Sequence, residues 1–366
     1  MKKILFAAVD LDIGGIETAL VNLLNYLTED NKYEITLVLE KKTGVFLSDI
    51  SSKIKIIEYI PSKNKIVLIR KAINMFKQIG FKIKYKNKFD FAGAFATYSL
   101  PACFIAKTAS INNAVWVHND YLELFDNNKV KVKEFFGNIK VQDFKNIIFV
   151  ADRARKMFLE VIPELKKKTN VINNLIDYKK ILSNANELGT ELDMEETDKT
   201  TIFINVGRHD EHQKKLSRII EASKKLKEEK LDFKVLFVGA GKDTKKYKEQ
   251  VKEYGLEGCV LFLGKRRNPY PYYKISDCVI LSSNYEGYPV VFVESMVLGK
   301  PIITTKVSDY KDIEGKYGLI CEKDSEDIYK KMKQFIEEGY VIKEEFNPEK
   351  FNKNIIEKLE KIIEDK

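Results

Sequence analysis

The stretch CVILSSNYEGYPVVFVESMVLGKPIIT, residues 278–304, contains one full turn of an architecture that recurs along the chain. Cys278–Ser282 is a short apolar run bounded by polar residues, which predicts a buried strand. Gly287 marks the turn that follows, Pro289 stands where a helix begins, and Val291–Leu298 carries helical apolar spacing up to Gly299. Pro301–Thr304 then predicts a second strand. Two buried strands joined through a helix make a parallel βαβ unit, so this segment calls for an open parallel sheet.

Outward from it the same alternation fills both halves of the chain. In the first half, strands are predicted at Lys3–Val9, Tyr33–Leu39, Ile54–Tyr59, Phe89–Ala96, Ala114–His118, Asn146–Val150 and Asn170–Ile172. Helices are predicted at Ile16–Leu27, Ser62–Ile79 and Leu100–Thr108, the last opened by Ser99 as N-cap with Pro101 in its first turn. In the second half, strands at Thr201–Val206, Lys234–Val238, Val260–Leu263, Cys278–Ser282 and Pro301–Thr304 alternate with helices at Leu216–Lys230, Lys245–Tyr254 and Val291–Leu298. Helices at Glu326–Glu338 and Pro348–Glu364 form the tail. A polar, acid-rich stretch, Ser183–Lys199, separates the halves. The expectation is an α/β protein of two doubly wound parallel-sheet domains: residues 1–177, a linker 178–199, residues 200–345, and a C-terminal helix 346–366 that packs back toward the first domain.

A chain of 366 residues, 44% hydrophobic and 32% charged, is long enough for two cores and excludes disordered, collagen-like and membrane-spanning classes. The apolar run Ile4–Val9 ends on Asp10 after six residues, which predicts a first strand and not a signal peptide. Cys103, Cys259, Cys278 and Cys321 form no CxxC pair and are expected as buried thiols in a reducing cytoplasm. Net charge is uneven. Residues 1–175 hold 28 Lys and Arg against 18 Asp and Glu, whereas residues 176–366 hold 35 against 36. Eleven basic residues and one acid, Glu58, fall within Lys53–Lys88. Such a field suits an anionic surface or substrate.

The glycine turns carry the candidate chemistry. Gly14-Gly15 follows the first strand, where backbone N–H groups at a helix start can meet a phosphate, although a tight turn alone also accounts for them. Asp10 and Asp12 resemble a metal-holding DxD, a reading disfavoured by the phosphate turn beside them. Val206-Gly207-Arg208 opens the second half, with Lys214 and Lys215 ahead of the next helix. Arginine can fork onto two phosphate oxygens and lysine adds a point charge. His209 and His212 lack further ligands for a metal site. In residues 286–294, Glu286 precedes a turn of Gly287, Tyr288, Pro289 and Val290, and Glu294 lies two helical turns on. At about 1.5 Å rise per residue the glutamates would stand roughly 10 Å apart or more, beyond the hydrolase range of about 5–9.5 Å. Carboxylates flanking a phosphate turn suit hydroxyl recognition instead. His118 ends an apolar strand, which in a parallel sheet is the ligand side.

Together these segments resemble the group 1 (family 4) retaining GT-B glycosyltransferases of bacteria. Gly14-Gly15-Ile16-Glu17 is similar to that family's GGxE loop. Asn174-Leu175-Ile176-Asp177 is similar to its NG(I/V)D, with leucine in place of glycine. Gly207-Arg208 with Lys214 resembles its GR…K pair, in a loop one residue longer that leaves Lys215 as an alternative. Glu286 through Glu294 resembles EX7E, continuing into Ser295-Met296 and Gly299-Lys300-Pro301. The resemblance implies two Rossmann-like domains facing across a cleft, and no metal or other cofactor. It implies that Arg208 and Lys214 neutralise a nucleotide-sugar diphosphate, that Gly15 and the backbone at Tyr288–Val290 cradle it, that Glu286 binds the transferred sugar and Glu294 the ribose, and that His118 lies near the reacting carbon. UDP is the donor nucleotide expected by default.

The implied acceptor is a lipid-linked saccharide or oligosaccharide at the cytoplasmic membrane, in capsule, exopolysaccharide or other surface-glycan synthesis. The basic helix, with Ile66, Ile69, Ile73 and Phe76 on one face, has the layout of a peripheral contact with an anionic leaflet, and equally that of a helix packed on the sheet with a solvated lysine face. Two rivals are a GT-B epimerase, disfavoured by the EX7E–GKP combination, and a nucleic-acid binder, disfavoured because the basic patch lacks interleaved aromatics.

Overall fold

Ile4, Leu5, Phe6 and Ala7 are wholly buried, as a parallel strand covered on both faces requires. They lie in β1 (Lys2–Ala8), the inner strand of a seven-stranded sheet with β2 (Tyr33–Leu39), β3 (Lys55–Glu58), β4 (Phe91–Ala94), β5 (Asn113–Val117), β6 (Asn146–Phe149) and β7 (Thr169–Val171). The order is β3-β2-β1-β4-β5-β6-β7, and every pairing is parallel. A second sheet holds β8 (Thr201–Val206), β9 (Phe233–Val238), β10 (Val260–Gly264), β11 (Cys278–Leu281), β12 (Ile302–Thr305) and β13 (Gly318–Cys321). Its order is β10-β9-β8-β11-β12-β13, again all parallel. This is the doubly wound α/β architecture that the alternation predicts, seen in a computed structural model that describes residues 1–12, 14–187 and 200–365.

Every predicted strand is present; among the described residues β13 is the one the sequence analysis missed. It is four residues long and begins at Gly318, where a Cβ would come within 1.8 Å of the Ile302 carbonyl oxygen, so the close approach to β12 admits only glycine. A short edge run that starts with glycine has no apolar periodicity to announce it.

The chain divides into one unit of Met1–Ile176 with Lys350–Lys366 and another of Asp177–Glu349. The helix Pro348–Glu364 joins the first unit through paired amide bonds: Asn352 accepts from the Ile176 N–H at 3.2 Å and donates to the Ile176 carbonyl at 2.7 Å. Asn112 donates to the carbonyls of Ile362 and Ile363, covering the helix end. The expected linker is corrected at its start, since Tyr178–Asn184 is helical and capped by Asp177, whose carboxylate accepts from the Lys180 N–H at 3.0 Å. That helix buries Ile181 alone in its span, too little apolar pattern to read in advance. Residues 188–199 of the linker lie outside the described residues.

The basic helix is also displaced. It spans Val67–Tyr85, five residues later than expected, because the Asn64 side chain takes the Ile66 N–H at 2.9 Å and Asn74 takes that of Ser62 at 2.6 Å, holding the segment before it as a turn. Its one buried side chain is Phe81, packed on Tyr59 and Phe104. Ile73 turns partly inward, and the apolar face left in solvent is Leu68, Met75, Phe76, Ile79 and Ile83, at helical spacing, with Leu68 78% and Ile83 80% exposed.

Candidate active site

In the second sheet the chain runs outward from β8 through β9 to β10 and then returns to β11 on the other side of β8. Strands β8 and β11 therefore flank the point of reversal, and ligands of open α/β sheets bind beyond the carboxyl ends of strands at such a point. The loops leaving these two ends are 207–215 and 282–289, the two segments singled out by their glycines and charges.

Hydrogen bonds lace the loops together. The Asn284 N–H donates to the Gln213 carbonyl at 2.7 Å, its side-chain amide donates to the His212 carbonyl at 2.8 Å, and the Ser282 hydroxyl lies 3.0 and 2.9 Å from the carbonyls of Lys214 and Lys215. Gly239, at φ +144, lies so close to Gly207 that a Cβ would sit 1.8 Å from its carbonyl oxygen. The glycine thereby lets the β9 end support the arginine loop from behind.

Within this frame the expected charged residues meet. Lys214 Nζ donates to Glu286 Oε1 at 2.6 Å, with the two side chains 15% and 7% exposed. The Ser283 hydroxyl donates to the same oxygen at 2.7 Å, and Gln213 Nε2 lies 3.4 Å from Oε2. Gln213 Oε1 in turn accepts from Arg208 Nη2 at 2.9 Å. Lys215 is separated from the group: its backbone is left-handed, at φ +50, and its ammonium pairs with Glu211 at 2.9 Å. Of the two candidate lysines, Lys214 is the one brought to Glu286. His209 and His212 likewise diverge, to Thr244 and Tyr285.

Gly287, Tyr288, Pro289 and Val290 lead into the helix Val290–Val297, which Pro289 caps. The Phe292 N–H closes the first turn onto the Pro289 carbonyl at 3.0 Å, while the N–H groups of Val290 and Val291 lie too early in the helix for an intrahelical acceptor and present positive potential. Glu294, one turn further, is held by Tyr270 at 3.0 Å and Tyr273 at 2.8 Å, one phenol on each carboxylate oxygen. Burial raises its pKa, and the hydrogen bonds from Tyr273 and Tyr270 pull the other way. Glu286 and Glu294 thus occupy different environments, a polar cluster and a tyrosine clamp.

The remaining candidates belong to the first unit. Gly14 is the N-cap of the helix Gly15–Leu27, whose start follows β1. His118, just beyond β5, is 7% exposed. Its Nε2 lies 2.9 Å from the Phe95 carbonyl, which can only accept, so Nε2 carries the proton. Nδ1 is buried without a hydrogen-bond partner, and burial lowers the pKa to about 4. His118 is therefore a neutral imidazole with a free acceptor lone pair. Among the described residues no group of three or more His, Cys, Asp or Glu side chains could hold a metal ion.

Sequence reasoning missed Gln213, Ser283, Tyr270 and Tyr273. Only the tyrosines left a trace, as the aromatic cluster Tyr270-Pro271-Tyr272-Tyr273.

Two doubly wound parallel sheets, the second with this cluster at its reversal point, define a Rossmann-like protein of the GT-B class. Residues 192–361, a little under half of the chain, match the family described as glycosyl transferases group 1. An uncharacterized glycosyltransferase of Methanocaldococcus jannaschii is 26% identical over 244 residues, covering 61% of this chain and 60% of that protein. The N-acetylgalactosamine-N,N'-diacetylbacillosaminyl-diphospho-undecaprenol 4-alpha-N-acetylgalactosaminyltransferase of Campylobacter jejuni is 29% identical over 197 residues, covering 53% and 51%. Each match spans less than two thirds of the relative's length. Among solved structures, Anabaena HepE in complex with UDP-glucose shares the fold at TM-score 0.77 and 18% identity, over 99% of this chain and 100% of that one.

Proposed function

We propose that this protein is a retaining glycosyltransferase that moves a hexose or N-acetylhexosamine from a nucleotide-sugar, with UDP as the nucleotide, to a lipid-linked saccharide in surface-glycan synthesis such as that of capsule or exopolysaccharide. The carrying observation is the cluster of Arg208, Gln213, Lys214 and Glu286 at the β8–β11 reversal point. Two cations and a helix N-terminus suit a diphosphate, and a buried carboxylate beside them suits sugar hydroxyls. The transferase from Campylobacter jejuni is named for a diphospho-undecaprenol-linked saccharide, and the HepE structure holds UDP-glucose. These names support the choice of acceptor and donor.

In this reading Arg208, Lys214 and the first turn at Tyr288–Val290 stabilise charge that builds on the diphosphate as the glycosidic bond breaks. Protein cations supply that stabilisation, so no metal ion is required. The departing diphosphate assists deprotonation of the incoming hydroxyl on the same face, which gives retention. Gly207, Gly14 and Gly15 allow close backbone approach to phosphate, Glu286 orients the transferred sugar, Glu294 receives ribose hydroxyls, and His118 offers Nδ1 to a hydroxyl of the donor sugar. No helix among the described residues is long and apolar enough to cross a membrane. We assign peripheral contact with an anionic cytoplasmic leaflet to the segment 53–88, whose exposed apolar stripe and eleven basic residues fit an interface of that charge.

The test is a thermal-shift screen against UDP, GDP, ADP and their sugar conjugates, first in EDTA and then with Mg²⁺. Stabilisation by the uridine compounds in EDTA is expected. No shift with any nucleotide, or a shift only with Mg²⁺, would overturn the reading.

A further inference from the structure

Gln213 lies between the two groups to which the proposed function gives different halves of the donor. Its side chain is 8% exposed, and its amide spans from Arg208 Nη2 at 2.9 Å to Glu286 Oε2 at 3.4 Å. Only one orientation of that amide satisfies both neighbours, because guanidinium can only donate and carboxylate can only accept. The reversed amide would set N–H against N–H at Arg208 and oxygen against oxygen at Glu286. The orientation is therefore determined by charge on both sides, and the carboxamide is polarised in series between a cation and an anion.

We infer that Gln213 is a positioning residue that ties the diphosphate-binding arginine to the sugar-binding glutamate; this rests on the reading of Arg208 and Glu286 given above. Glu286 is held from three directions, by Lys214, Ser283 and Gln213. Two of those holders change when a donor arrives: Lys214 turns to the phosphate, and Arg208 tightens on the diphosphate and carries Gln213 with it. Gln213 then keeps the carboxylate directed at the sugar while its ammonium partner is engaged elsewhere. The loop backbone does not depend on this side chain, since the Gln213 carbonyl and N–H have their own partners in Asn284 and Asp210. Side-chain variants consequently address the bridge and leave the loop in place.

The experiment compares Gln213→Met, which preserves volume and removes the bridge, with Gln213→Glu, which still pairs with Arg208 but opposes Glu286. Calorimetric binding of UDP and UDP-glucose, steady-state kinetics and melting temperature are measured for each. For Gln213→Met the expected result is a kcat about tenfold or more below the parent, UDP affinity within about threefold, and a melting temperature near that of the parent. Gln213→Glu is expected to lose about a further tenfold in kcat. In a Glu286→Ala background, Gln213→Met should leave the ratio of UDP-glucose to UDP affinity unchanged, because the group it positions is gone. A merely structural role would lower melting temperature, UDP affinity and kcat together, and that outcome overturns the proposal. Unchanged kcat in both variants does so as well. If the parent itself bound no nucleotide, the donor site would be the failed reading, an outcome visible before any variant is made.

Discussion

Lys214 Nζ lies 2.6 Å from Glu286 Oε1, so two residues 72 positions apart form a largely buried ion pair at the centre of the candidate site. Under the proposed function a donor diphosphate takes Lys214 from this partner, while the donor sugar gives Glu286 hydroxyls in return. Free UDP offers the first exchange without the second.

Glu286→Ala is expected to abolish transfer and, in the ligand-free protein, to leave Lys214 buried beside no anion. Removing one partner of a buried pair costs on the order of 3–5 kcal/mol, and the partial exposure of Lys214 places this case at the low end. UDP restores an anion, so its stabilising shift in melting temperature should be larger in Glu286→Ala than in the parent. An equal or smaller shift would contradict competition between Glu286 and the diphosphate for Lys214.

Arg208→Ala should weaken UDP binding by about 1.5–3 kcal/mol, the range for hydrogen bonds to charged groups. Lys215→Ala is expected to leave UDP affinity nearly unchanged, because Lys215 is directed to Glu211. Titration calorimetry on both variants separates the roles, and equal losses would return Lys215 to the phosphate site.

His118 should remain neutral, as the Nε2–H tautomer, well below the ordinary histidine range, since burial lowers its pKa to about 4. The unfolded chain binds a proton near pH 6.5 that the folded chain refuses, so stability is present above that pH and is lost as pH falls from about 6.5 toward 4. Nitrogen chemical shifts of the imidazole at pH 6 check the tautomer. A charged ring at that pH would rule out Nδ1 as a hydroxyl acceptor.

Glu294 gives the opposite sign. Its folded-state pKa is raised, first by burial, so the folded chain holds a proton that the unfolded chain has released. Stability should fall as pH rises from the unfolded value of about 4.5 through the folded one. Glu294→Gln removes this loss, and its melting temperature should gain on that of the parent with rising pH while UDP affinity drops. Parallel melting curves across pH 5–8 would remove the linkage.

Leu68→Glu and Phe76→Glu lie on the exposed stripe of the helix Val67–Tyr85 and should cost little stability. Co-sedimentation with phosphatidylglycerol vesicles is expected to fall at least about tenfold, at about 0.8 kcal/mol per buried methylene lost. Undiminished sedimentation of the double variant would place the membrane contact elsewhere.

Local pattern was enough for most of the fold. Strands β1 to β12 show in the sequence because buried parallel strands are short apolar runs bounded by turns, and Ser99 was legible as a cap, which it is, accepting from the Ala102 N–H at 2.9 Å. The register of the basic helix was not legible, because Asn64 and Asn74 settle its start through side-chain bonds that hydropathy does not register. Glu294 was visible as half of a spaced pair of glutamates, but its clamp by Tyr270 and Tyr273 was not.

The sequence by itself therefore determined the doubly wound architecture and the residue types of the candidate site: arginine after a glycine, lysines before a helix, two glutamates around a proline-led turn. The tertiary structure alone decided which of them act together. Parallel pairing of β11 with β8, Cys278 opposite Phe203 and Val279 opposite Ile204, brings the two strand ends side by side and so sets Glu286 against Lys214. The left-handed backbone at Lys215 directs that side chain to Glu211, and the charges on either side of Gln213 orient its amide. Periodicity is a property of neighbours in the chain, whereas a hydrogen-bond partner 72 residues away is selected only when the sheet is assembled.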